Sequence, residues 1–206
     1  MVPKSKAGRA AAAILALLAF ISDARSDVRS GTPSNVCERE MLRAAQEHNV
    51  PVAVLYAVAL TETGQRGDLH EYAMNVGGRP VFSPSLPEAI TIFEGARARG
   101  VKLIDIGCMQ VNHHYHGRMF PSVEAMFDPR QNVDYAATFL RNLYRSEKTW
   151  TSAVARYHAG PGNAPAQKSY VCAVIGNMIA SGFGSWTEQS KAFCAMVRSE
   201  MASRRP

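Results

Sequence analysis

Long apolar runs, paired cysteines and blocks of like charge are all scarce in this chain of 206 residues. The longest apolar run, Ala10 to Ile21, has 12 residues, whereas a membrane span needs about 20. Stable insertion in a bilayer is therefore not expected once the leader described below is removed. The four cysteines, Cys37, Cys108, Cys172 and Cys194, never fall in a C-x-x-C pair, which argues against a structural zinc site. No basic block is interleaved with aromatics, so nucleic-acid binding is not indicated. Only 19% of residues are charged and 47% are apolar, a balance that supports an ordinary globular core.

What the sequence does contain begins with export. Lys4, Lys6 and Arg9 precede the apolar run, and Ser22-Asp23-Ala24 offers small residues at the minus-three and minus-one positions of a cleavage site. Residues 1–24 thus read as a secretory signal peptide and residues 25–35 as a flexible leader. Losing 1–24 removes Lys4, Lys6, Arg9 and Asp23, so the formal charge falls by two from +6. The exported cysteines meet an oxidising compartment. Cys172 and Cys194, on neighbouring predicted helices, are expected to pair. Four cysteines allow three connectivities, and Cys108 as a buried free thiol stays open.

The rest reads as mostly helical, an α+β fold with one short β-hairpin. Cys37 to His48 is amphipathic. Val52 to Glu62 is apolar on every face, which marks a buried central helix, and Gly64 is its expected C-cap. Tyr72 to Val76 and Arg79 to Phe82, joined by Gly77-Gly78, predict the hairpin. Ser85 to Glu88 reads as a capping box opening a helix to about Arg99, which Gly100 closes. Further helices are expected over Arg130 to Arg145, Thr151 to His158, Gln167 to Ala180 and Glu188 to Ser203. The last is read as a stabilising flank, with a docking element as the alternative. The expected division is a catalytic domain over 36–181 and a C-terminal flank over 182–206.

Glu62 ends the buried helix. Desolvation and the negative end of the helix dipole both favour its protonated form, as a general acid requires. Taken alone, it would be an ordinary helix-end carboxylate. Three ordered segments change that: Ala59-Leu60-Thr61-Glu62-Thr63-Gly64, then Gly107-Cys108-Met109-Gln110-Val111-Asn112, then Tyr157-His158-Ala159-Gly160. Over about residues 37–180 the chain resembles the lytic transglycosylases of the SLT type, relatives of goose-type lysozyme. Cys108 replaces the usual Leu of the second motif, and His158 stands where Asn is common in the third.

The resemblance implies a lysozyme-like helical domain with the hairpin near the cleft, acting on the glycan strands of peptidoglycan in the periplasm. It makes Glu62 the general acid and then the general base. It sets Gln110 beside the sugar, Tyr157 at or near Glu62, Tyr170 near the same carboxyl group, Met109 against the sugar face, and Asn75 and Val76 on the cleft wall. Asn112 reads as a structural cap. No cofactor and no metal are expected. His113, His114 and His116 lack metal-ligand spacing and read as a polar, partly exposed loop.

Most glycosidases use two carboxyl groups. Asp68, Glu71 and Asp105 are candidates for the second by proximity in sequence only, and Asp105 reads better as a brace for the turn before Gly107. A missing second carboxylate agrees with intramolecular transfer, in which the C6 hydroxyl of N-acetylmuramic acid attacks C1 and leaves a 1,6-anhydro end. The rivals are a hydrolytic muramidase on the same fold, a non-catalytic wall-binding or assembly protein, and a periplasmic metal-binding protein. Service to a secretion or conjugation apparatus is an analogy with small enzymes of this type.

Overall fold

The computed structural model describes residues 35–63 and 69–204. The signal segment, most of the leader, Gly64 and Asp68 lie outside the described residues. In order come α1 (Val36–His48), α2 (Val52–Thr63), β1 (Ala73–Val76), β2 (Arg79–Phe82), α3 (Leu86–Ala98), β3 (Ile104–Ile106), β4 (Val111–Asn112), α4 (His113–His116), α5 (Val123–Phe127), α6 (Pro129–Glu147), α7 (Trp150–His158), α8 (Ala164–Ala180) and α9 (Glu188–Ala202). A 3-10 turn, Gly117–Met119, follows α4.

The central helix is α2. Its apolar composition leaves no polar face, and Leu55, Ala57, Val58 and Ala59 are completely buried. It packs against α1, α7 and α8, while α6 spans α1 and α7. Small alanines along α2 and α6 let neighbouring helices approach each of them closely; Ala136 and Ala137 of α6 are also fully buried. The last turn of α2 is tied down on both sides of Glu62. Thr61 Oγ1 donates to the Ala57 carbonyl and Thr63 Oγ1 to that of Ala59. From α8, Asn177 Nδ2 donates to Thr61 Oγ1 over 2.9 Å.

The hairpin β1–β2 forms as expected, with Val76 paired to Arg79 across Gly77 and Gly78, both at positive φ. It is half of a larger sheet. β3 and β4 extend it to the antiparallel order β2-β1-β3-β4. These two strands have three and two residues, too few for a period-two signal in the sequence.

Three local expectations are corrected. Ser85 caps α3 in position, but its side chain makes no capping hydrogen bond, so the capping box is not formed. The histidine segment is a one-turn helix and not a loop, because Asn112 accepts from the backbone N–H of His114 and Tyr115 and starts it. Cys108 is not a free thiol: it bonds to Cys37, and Cys172 bonds to Cys194 as expected. The first bridge fastens the start of α1 to the loop between β3 and β4. The second joins α8 to α9, alongside the ion pair of Lys168 with Glu200.

Candidate active site

Glu62, on the last turn of α2, opens into a cleft of about 200 Å³. Asp105, Gln110, Val111 and Asn112 form the side of the cleft built by β3, β4 and their loop. Tyr115 and His116 of α4, Tyr135 and Phe139 of α6, and Tyr157 and His158 of α7 complete it. Glu62 is 18% exposed at its side chain, enough to reach a ligand and little enough to be partly desolvated. At the end of α7, His158 Nδ1 lies 3.6 Å from Glu62 Oε1. The His158 ring stacks on Tyr170 of α8, with centroids 4.1 Å apart and planes 6° from parallel.

Two buried side chains brace the β3–β4 loop. Asn132, on α6, is completely buried. Its Oδ1 accepts from the Met109 N–H, and its Nδ2 donates to the carbonyls of Ile106 and Met126. Gly107 sits at φ +79°, a region that favours glycine. Gln110 is also left-handed, at φ +47°. Its side chain is buried, and Nε2 donates to the carbonyls of Ala73 and Gly107. Gln110 therefore lines the cleft while bracing the loop against β1.

The expected site residues divide into two groups. Glu62, Gln110 and Tyr157 line one cleft, and Tyr170 reaches it through His158. Tyr157 Oη donates to the Met109 carbonyl over 2.9 Å, so its hydrogen bond goes to the loop and not to Glu62. The Met109 side chain is fully buried in the core, and its backbone N–H and carbonyl are held by Asn132 and Tyr157. Asn75 lies in the hairpin. It does not line this cleft, and its Oδ1 accepts from the Gly78 N–H to close the hairpin turn. Its neighbour Val76 is buried.

A second carboxylate does stand in the cleft. Asp105, on β3, faces the same space as Glu62, and its Oδ1 accepts from Asn112 Nδ2 over 2.6 Å. Burial raises the Asp105 carboxyl above its ordinary value; the bond from Asn112 opposes that rise and the Glu62 charge adds to it. The expected brace is thus present, but the residue also belongs to the site. Glu71 lies along a different hollow, with Asn35, His70 and Phe82.

Tyr157 and Tyr170 are held well above the ordinary tyrosine value, first by burial and then by the Glu62 charge. Both therefore stay neutral at ordinary pH. The Tyr170 hydroxyl is buried without a hydrogen-bond partner.

The three clustered histidines diverge. His113 packs on Phe93, His114 on Tyr115, and His116 Nδ1 meets Tyr135 Oη at 2.8 Å. Among the described residues, the side chains able to converge on a metal are Glu47, His48 and Asp134. There Arg43 and His48 already occupy Asp134.

Sequence reasoning missed Asn132 and the aromatic wall of Tyr115, Tyr135 and Phe139. Asn132 lies within a polar helix start with no pattern to single it out. The wall is assembled from two helices whose spacing in sequence says nothing of their proximity.

A helical lysozyme-like domain, with a small antiparallel sheet on one side of a cleft and a helix-end glutamate on the other, defines a class of glycan-cleaving protein. Residues 40–174 match the family model of the transglycosylase SLT domain, and the chain belongs to that family. No curated protein and no solved structure matches it. Members of the family are peptidoglycan lytic transglycosylases, so the protein is a glycan-cleaving enzyme and not a passive wall binder. Its substrate, peptidoglycan, lies outside the cytoplasm.

Proposed function

We propose that the enzyme cleaves the β-1,4 bond between N-acetylmuramic acid and N-acetylglucosamine without water, leaving 1,6-anhydro-N-acetylmuramic acid ends, with Glu62 as the group that gives and takes the proton. The observation that carries this reading is Glu62 itself, a half-buried carboxyl group on a tied-down helix end, open to a cleft with polar and aromatic walls. In the first step protonated Glu62 gives its proton to the leaving glycosidic oxygen. The 2-acetamido oxygen of the muramic sugar supports the positive charge that develops at C1. In the second step ionised Glu62 takes the proton of the C6 hydroxyl, whose oxygen bonds to C1. One proton leaves and one returns, so the enzyme ends as it began and no water is consumed.

Tyr157 and Tyr170, kept neutral by burial, add no charge beside the carboxyl group. Gln110 supports substrate through the loop it braces, with Tyr115 and its neighbours as the apolar wall. Export through residues 1–24 to the periplasm, a catalytic domain over 36–181 flanked by 182–206, and local wall opening for a secretion or conjugation apparatus belong to the same proposal.

Asp105 supports a second reading, hydrolysis by a two-carboxylate muramidase. A second carboxylate is present, since Asp105 lines the cleft, and its presence does not by itself favour transfer. Mass spectrometry of fragments released from purified peptidoglycan separates the readings. Transfer products are lighter than hydrolytic products by one water and have no reducing end. Glu62→Gln should release neither, with activity down about 10²–10⁴-fold. Fragments bearing only reducing ends would overturn the transfer reading, and an active Glu62→Gln would overturn the role of Glu62.

A further inference from the structure

We propose that His158 is a positioning residue for Glu62 that holds the carboxyl group by an ion pair and shares one proton with it, so that the pair, not the glutamate alone, is the acid/base of the reaction. This rests on the reading of Glu62 as the acid.

Three observations carry it. Among the described residues, His158 is the basic side chain paired with Glu62, at 3.6 Å from Nδ1 to Oε1, an ion pair when the imidazole is protonated. Its ring lies flat on the buried Tyr170 at 4.1 Å. An imidazolium gains from an aromatic face, and as the last residue of α7 it also sits at the negative end of a helix dipole. Finally, the Tyr170 hydroxyl under the ring is buried, and Glu62 is the charge that acts on it most. Catalytic contacts are often long in unliganded sites and tighten with substrate.

Other titratable groups face this pair from each element around it. Asp105 comes from β3, Tyr157 from α7, Tyr115 and His116 from α4, and Tyr135 from α6. Pairing with Glu62 raises the His158 imidazole above its ordinary value, partial burial opposes the rise, and Glu62 and Asp105 charges add to it. His116 is pushed the other way by burial, so it does not compete as the cation.

The proton accounting is simple. With one proton, the pair is either carboxylate with imidazolium or carboxylic acid with neutral imidazole. The second form donates to the glycosidic oxygen, leaving carboxylate and neutral imidazole. The C6 hydroxyl then returns one proton to Glu62 and the pair is restored. His158 thus keeps a transferable proton in the site at a pH where a lone carboxyl group would have lost it.

The test compares wild type with His158→Asn on purified peptidoglycan, reading kcat/KM against pH. The alkaline limb should move to lower pH by about one unit or more in the variant. In parallel, the His158 imidazole is titrated by NMR in wild type and in Glu62→Gln. Its midpoint should fall by about one unit when the carboxylate is gone. Coincident alkaline limbs, or a His158 midpoint unmoved in Glu62→Gln, would overturn the proposal. The NMR arm holds even if His158→Asn folds poorly. An inactive Glu62→Gln together with unmoved limbs would sink this proposal alone, whereas an active Glu62→Gln would sink the underlying reading.

Discussion

A Cβ on Gly107 would lie 2.7 Å from Nδ2 of Asn132, closer than side chains pack. The two residues come from the β3–β4 loop and from α6, and the missing Cβ lets the asparagine reach the backbone on either side of the glycine. The loop that carries Gln110 is thus fastened to α6 through this amide, alongside the Cys37–Cys108 bridge to α1 and the Tyr157 hydrogen bond from α7.

Substitution at either end of this contact should therefore cost stability and activity together. Gly107→Ala adds a left-handed non-glycine residue and a clash, about 2–4 kcal/mol. Asn132→Asp keeps the shape but turns two donated hydrogen bonds into contacts between oxygens, about 3 kcal/mol or more. Chemical unfolding and rates on peptidoglycan check both. A stable, fully active Asn132→Asp would show that the amide is not what holds the loop.

The two disulfides should behave differently. Cys37–Cys108 closes a span of 71 residues and ends on the loop that carries Gln110 into the cleft, so Cys37→Ser with Cys108→Ser should lose about 4 kcal/mol and most activity. Cys172–Cys194 closes 22 residues and joins α9, away from the cleft. Its removal should cost about 3 kcal/mol while kcat on the folded fraction is retained. Unfolding curves and activity per folded molecule distinguish them.

Asp105 should trade stability for function. Burial raises its carboxyl group, with Asn112 opposing and Glu62 adding to the rise. A raised folded-state value gives a contribution to stability that is present below the unfolded value and lost as pH climbs through the folded one. At neutral pH the ionised Asp105 is thus a liability to the fold. Asp105→Asn should melt higher relative to wild type at pH 7 than at pH 3, and its kcat should drop on the order of 10²-fold if the charge supports C1. If Asp105 instead directs hydrolysis, reducing-end fragments should vanish selectively.

Tyr115 is 68% exposed at the mouth of the cleft. Its ring is available to stack on a sugar, as His116, Phe139 and Tyr157 continue the wall behind it. Tyr115→Ala should raise KM roughly twofold to tenfold, with kcat little changed. A lowered kcat at constant KM would assign the residue to the chemical step instead.

Sequence alone determined a good deal. The apolar α2, ending at Glu62, could only be a buried helix, because no face of it tolerates water. The glycine pair between two short apolar stretches specified the hairpin, since the turn needs positive φ. Three ordered motifs specified the family and the central carboxylate. Tertiary structure decided the rest, because it depends on residues far apart in the chain. Met109 is turned into the core by the same loop that offers its carbonyl to Tyr157, 48 positions away. Asp105 reads as a brace until β3 sets it beside α2 as a second acid in the cleft. His158 and Glu62 lie on separate helices, and only the packing of α2, α7 and α8 brings an imidazole to the Glu62 carboxyl group.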